Sequence, residues 1–178
     1  MANGSGNMMK RMLGLRQEMS MGFYLTDLLF RKILRQNAGV DWAIHHTSTI
    51  HSPKLIKRGK NVYPGDSPGV YINARNGVHI GDYTNIGPNV GLVSSNHDFI
   101  NNDLHTATKP IDIGRFCWMG MGAVILPEVK LGDFTIVGAG AVVTKSFPEG
   151  YCVIAGNPAK VIKQLNRAEC DAFAAGKI

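Results

Sequence analysis

The feature that most restricts this chain is a six-residue beat. From Ile80 an apolar side chain returns every six positions, at Ile86 and Leu92. After an interruption it resumes at Ile113, Met119, Ile125, Leu131, Val137 and Val143. Two residues ahead of each beat stands a second apolar or small residue: Val78, Thr84, Val90, Ile111, Cys117, Ala123, Val129, Thr135 and Ala141. Counting back in the same phase gives Ala74 and Pro68 as weak members, then Val62, Ile56, Ile50 and Ile44. Side chains two apart share one face of an extended strand, whereas spacings of 2 and 4 do not hold one face of a helix. Gly81, Gly87, Gly114, Gly120, Gly132 and Gly138 follow the beats, where a turning chain leaves least room for a side chain. Short strand and corner, repeated, predict a triangular prism with about 18 residues per coil, its coils stacked at about 4.8 Å through parallel strands. An ordinary sandwich would need turns at roughly 8–12-residue intervals. The fold class is therefore all-β, a parallel β-helix over 41–163.

Composition agrees with one domain. The chain has 178 residues, 44% hydrophobic and 18% charged, with 21 glycines spread along it. No run approaches the length of a spanning helix. Lys10 and Arg11 are followed by no apolar stretch of the kind a secretory leader needs, so none is expected. Cys117, Cys152 and Cys170 are odd in number without C-x-x-C spacing, which argues for a reducing cytoplasm rather than disulfides or structural zinc. The net charge of +6 is uneven: residues 1–60 hold ten Lys/Arg against three Asp/Glu, and the remainder is near neutral. With the surplus outside the regular part and no basic–aromatic alternation, nucleic acid is not an expected partner.

The segments IGDYTN, IGPNVG, IGRFCW, MGMGAV, LGDFTI and VGAGAV resemble the hexapeptide repeat of the left-handed β-helix acyltransferases. Within that family, the ending AGNPAKVIK (155–163) is similar to the maltose, galactoside and nodulation O-acetyltransferase branch. The resemblance covers about 60–165 and implies left-handed coiling, acetyl-CoA as co-substrate and no metal.

The beat breaks between Leu92 and Ile113, a hexad with 15 extra residues. The insert, SSNHDFINNDLHTATKP, is polar and closed by Pro110, and predicts a loop at about 96–110. A long loop in a regular solenoid is a functional candidate. It opens on Asn96 and His97, and imidazole is the side chain suited to taking a proton near neutral pH. In the resembling enzymes a His here deprotonates the acceptor hydroxyl, which implies His97 as general base. His105 has no matching role, and His79 lies 18 residues before His97, one coil beneath it in an unbroken stack. His45, His46 and His51 invite a metal reading, and His46 and His51 have the spacing of the γ-class carbonic anhydrase pair. That site needs a third His one or two coils upstream, and nothing upstream of residue 45 supplies it, so zinc is not expected.

For the cofactor, outward Trp118 is available to wall an apolar slot, and the corners at Gly120 and Gly138 would let backbone N–H groups approach a ligand. The resemblance adds Ala139, Thr144, Lys145 and Lys160 as cofactor-lining positions. Lys163 is a second cation for the phosphates. Met121 stands where the family often has Ser, so an oxyanion contact there needs a backbone N–H. On the acceptor side Asn73 matches a sugar-holding Asn, with Asn96 beside it. Arg75 stands near where the family places an acid, which points to a different acceptor.

The first segment, 1–40, contains an apolar stripe at Leu25, Leu28, Leu29, Phe30, Ile33 and Leu34, and Gly39 as a stop. A helix over 21–37 either caps the end coil or rests on an anionic membrane. The tail, 164–178, is expected to hold a short helix. Apolar outward residues such as Trp118 and Val124 imply a covering partner, and a homotrimer with shared sites would cover them. These features predict an acetyl-CoA-dependent O-acetyltransferase acting on a sugar hydroxyl of a surface polysaccharide or its precursor. An N-acetyltransferase on an amino sugar or antibiotic amine, and a non-catalytic solenoid, are the alternatives.

Overall fold

The fold was analysed in a computed structural model that describes residues 15, 16 and 18–177. Lys10 and Arg11, weighed for a leader, lie outside the described residues. Fourteen short strands follow in order: β1 (Thr49–His51), β2 (Ile56–Arg58), β3 (Tyr71–Asn73), β4 (Val78–Ile80), β5 (Asn85–Ile86), β6 (Gly91–Val93), β7 (Ile111–Ile113), β8 (Trp118–Met119), β9 (Val124–Ile125), β10 (Lys130–Leu131), β11 (Thr135–Val137), β12 (Val142–Val143), β13 (Cys152–Ala155) and β14 (Lys160–Gln164). They form three sheets, β1-β3-β6-β9-β12, β4 between β2 and β7 with β10 outside, and β5-β8-β11-β13-β14. We call these the first, second and third sheets. From β3 to β12 the chain visits them in rotation, and every pairing but β13–β14 is parallel. This arrangement of parallel sheets and repeat fits a left-handed β-helix.

Both inward positions of each hexad are buried from Val78 to Val143, and residues from all three sheets share one core. Ile80 lies on Ile113 and Met119 on Val137, so the stack closes over the loop without a change of face. Burial explains the cysteines as well. Cys117 fills an inward position, and loss of solvent pushes its thiol up to about 12. All three cysteines are free.

Upstream of Ile80 the expected phase fails. Ile72, not Ala74, is the beat, since Ile72 pairs with Ile50 on one side and Leu92 on the other. Ile56 pairs with Val78, and Pro68 is exposed. The corner Ala74-Arg75-Asn76-Gly77 holds extra residues, and Gly77 takes a left-handed φ of 95° that few side chains tolerate.

At the corner between the second and third sheets, Tyr83, Phe116, Phe134 and Tyr151 all adopt positive φ. Each such residue costs about 1–2 kcal/mol of backbone strain. Their rings stack coil on coil at 5.0, 4.9 and 5.5 Å between centroids, which offsets part of that strain. The terminal helix α2 (Arg167–Ala175), capped by Asn166, sets Phe173 edge-on to Phe116.

The N-terminal helix inverts the expected packing. An α-helical stretch α1 (Met21–Asp27), capped by Ser20, runs into a π-helical stretch (Leu28–Ile33) and ends before Gly39. Its inward groups are Asp27 and Arg31, paired at 2.6 Å. Asp27 also accepts from the Ile44 N–H, and Arg31 donates to the Val40 carbonyl. Of the apolar stripe, Phe30 is half-buried against His46, while Leu25, Leu28, Leu29, Ile33 and Leu34 are exposed, because this ion pair fixes the opposite face inward.

Candidate active site

The 96–110 loop is a small hairpin. Thr106 N–H donates to the Asn96 carbonyl and Asp98 N–H to that of Leu104, at 3.0 and 2.9 Å. Asp98 accepts from the N–H groups of Asn101 and Ile100, which hold its carboxyl below the usual carboxylate range. Asn76, from the corner below, ties both ends of the hairpin. Its Nδ2 reaches the Ser94 and Thr106 carbonyls and Thr108 Oγ1 at 3.0, 3.0 and 2.8 Å, and its N–H meets Ser94 Oγ. Nothing in the periodicity marked Asn76; the phase break around Gly77 was the available signal.

His97 is exposed on this hairpin, its ring 4.3 Å from that of His105. Its Nδ1 bonds the Asn102 carbonyl. A carbonyl only accepts, so Nδ1 carries the proton and Nε2 of neutral His97 presents its lone pair. Desolvation, followed by the charges of Arg75 and His97, lowers the His105 pKa and favours its neutral form. His79 does not sit beneath His97; it pairs with Asp112 at 2.7 Å across adjacent strands, because the coil there is longer than 18 residues. His46 stacks on Phe30, and among the described residues no group of three His, Cys, Asp or Glu is placed to hold a metal.

The predicted residues fall into two groups at the two edges of the first sheet. At the edge leading to the second sheet stand Asn73, Asn96 and His97, with Thr144 and Lys145 two coils on. Asn73 is half-buried and accepts from the Arg75 N–H, leaving its Nδ2 donors free of that bond. At the edge leading from the third sheet stand Met121 and Ala139, both exposed, with Lys160 and Lys163 on β14. Trp118 stands apart from this edge, on the third sheet. It is 54% exposed on the outer face of β8, in register with Asn85 and Ile136.

At the corners Gly120 and Gly138 the glycines' own N–H groups are taken up within the stack. Gly120 donates to Val137 O and Gly138 to Ile154 O, and a Cβ on Gly120 would come within 2.7 Å of the Ala139 nitrogen. These glycines permit close stacking of coils. Among the described residues the neighbouring Met121 and Ala139 N–H groups have no protein acceptor, and they lie one coil apart. Beside Trp118 opens a cleft of about 760 Å³ whose polar lining includes Arg16, Glu18, Asn61 and Asn85, with Tyr63 and Tyr83 as aromatic walls.

Comparison with known proteins places this geometry. The bacterial transferase hexapeptide family (six repeats) matches residues 110–145. No curated protein matches the chain. Among solved structures, a maltose O-acetyltransferase from Clostridium difficile 630 is 28% identical with a TM-score of 0.60, the match covering 67% of this chain. The chain spans 64% of that enzyme's length. A galactoside acetyltransferase in complex with coenzyme A shares the fold at 24% identity, with 92% of each chain covered and a TM-score of 0.64. A variant of AntD, an N-acyltransferase from Bacillus cereus, in complex with dTDP and coenzyme A, does so at 18% identity, covering 82% of this chain and 96% of its own, with a TM-score of 0.63. Residues 110–145 thus carry a bacterial transferase hexapeptide repeat, and the fold around them is similar to that of these acetyltransferases.

Proposed function

We propose that the protein is an acetyl-CoA-dependent O-acetyltransferase built on a left-handed β-helix, with His97 as general base. The observation that carries this reading is the fixed tautomer of His97, whose Nε2 is left as an unprotonated acceptor on an exposed hairpin. His97 Nε2 takes the proton of an acceptor hydroxyl as its oxygen attacks the thioester carbonyl carbon. The tetrahedral oxyanion is held by the Met121 backbone N–H, the donor left where a family serine is absent. Collapse breaks the C–S bond, and the departing thiolate of coenzyme A recovers the proton from the imidazolium.

Acetyl-CoA lies along the edge marked by Met121 and Ala139 and against Trp118, with Lys160 and Lys163 offering charge to its phosphates. Thr144 and Lys145 line it from a neighbouring chain. The acceptor is a sugar hydroxyl of a surface polysaccharide or its precursor, held by Asn73 and Asn96, and the enzyme works in the cytoplasm. A homotrimer joins the two groups of site residues across each interface. Apolar surface supports that assembly: Phe99 and Ile100 at the hairpin tip are each 98% exposed, and Val124 and Val142 line the outer face between the two edges.

The test is His97→Ala with a panel of sugars and amines as acceptors and coenzyme A release as the readout. Turnover should fall roughly 10²–10⁴-fold, about 3–5 kcal/mol, while acetyl-CoA still binds. Wild-type turnover in the variant would remove His97 as the base, and preference for amines would replace the hydroxyl acceptor.

A further inference from the structure

The N-terminal helix presents a surface that neither the fold nor the acetyl-transfer reading uses. Asp27 and Arg31 side chains are 6% and 9% exposed and bolt the helix to Val40 and Ile44. The opposite face is therefore fixed outward, and it is apolar. Leu25, Leu28, Leu29, Ile33 and Leu34 are between 44% and 65% exposed, a contiguous stripe of large side chains. Leu55, 49% exposed on the turn after β1, adds to the same end of the molecule, where Pro53 of that turn faces Gly39. Apolar surface of this extent on a folded chain marks a contact.

The charges choose the occupant. Lys32 is exposed within the stripe, Arg35 is exposed just after it, and Lys54 is exposed on the turn whose Pro53 faces Gly39. Within residues 21–57 the only acids are Asp27, already paired, and Asp41. Across a two-fold axis a second copy would bring this positive set against itself. An anionic lipid surface meets both features, taking leucine side chains into the acyl boundary while lysine and arginine reach the headgroups. The helical run from Met21 to Ile33 has 7 α-helical and 6 π-helical residues, and no helix of the described residues is long and apolar enough to cross a membrane. We infer that this face is a monotopic docking surface for anionic bilayers, with the helix lying in the plane of the interface.

Co-sedimentation of the full chain with vesicles tests this, using phosphatidylcholine alone or with about 30% phosphatidylglycerol. Binding should require phosphatidylglycerol and weaken as salt rises. Leu28→Gln with Leu29→Gln should cut partitioning at least about tenfold without lowering the thermal midpoint, because both side chains are exposed. Lys32→Gln with Arg35→Gln should weaken binding and flatten its salt dependence. Failure of the full chain to sediment with anionic vesicles would overturn the inference. So would a smaller molar mass by light scattering for the leucine pair, which would make a second copy the occupant.

Discussion

Asn76 is the residue on which the position of His97 rests, and Asn76→Ala tests this. Two amide hydrogens serve three acceptors, the Ser94 and Thr106 carbonyls and Thr108 Oγ1, at 3.0, 3.0 and 2.8 Å. Water can reach the exposed Thr106 end of this cluster, so the net loss is about 1 kcal/mol per hydrogen bond, or roughly 2 kcal/mol in all. The Ser94 hydroxyl keeps its contact with the residue 76 N–H, and Thr108 keeps its own bond to Ser94. The coil should therefore survive while the hairpin loosens. Displacing a base by about 1 Å costs on the order of 10²-fold in rate. We expect kcat to drop by roughly 10–100-fold with less than about a twofold change in acetyl-CoA affinity, measured by coenzyme A release and by equilibrium titration. Asn76→Asp should be worse than alanine, since a carboxylate would face three oxygens it cannot donate to. Wild-type kcat in Asn76→Ala, or an aspartate variant more active than the alanine one, would refute this role.

Lys160→Ala should weaken coenzyme A more than dephospho-coenzyme A if its ammonium meets the 3′-phosphate, and equal losses would remove that assignment. If each site draws on two chains, His97→Ala and Trp118→Ala proteins, each impaired alone, should regain activity when unfolded together and refolded as a mixture. A mixture no better than its components would place both residues in one chain's site.

What was legible in the sequence depended on how each coil stores its extra residues. From Ile80 onward the coils keep 18 residues apart from one lump of 15, so counting by six tracks the sheets as far as Val143. Upstream, Ile72 pairs with Ile50 across 22 positions and with Leu92 across 20. Those additions are even, so the alternation of inward and outward residues survives while the beat moves. Ala74 is buried although it is not a beat, which is why the counting hid the slip. The aromatic ladder was readable and unread: GDY, GRF and GDF each set a ring two residues after a corner glycine. Of the two readings of the helix, cap and membrane contact, the apolar stripe does not follow the first, and the reason is physical. An apolar stripe states that something covers it, and here the buried Asp27–Arg31 pair reserves the coil for the polar face.

The separation of the site residues was beyond any count of spacings. His97 and Trp118 lie 21 positions apart in sequence and look like neighbours on either side of a loop. The register places one beyond the end of β6 and the other on the outer face of β8, in a different sheet. A six-residue repeat sends consecutive hexads to different sides, so residues close in sequence face away from each other, while residues 18 apart share a side. Met121 and Ala139 share an edge in this way. If His97 is the base and Met121 and Ala139 line the acyl donor, the two cannot meet across the outer face of a rigid sheet. In the trimer proposed above, copies packed side by side would oppose unlike edges and bring the hairpin of one chain toward the Trp118 side of the next. Threefold closure would repeat that meeting at every interface and would make the junction between chains the catalytic unit.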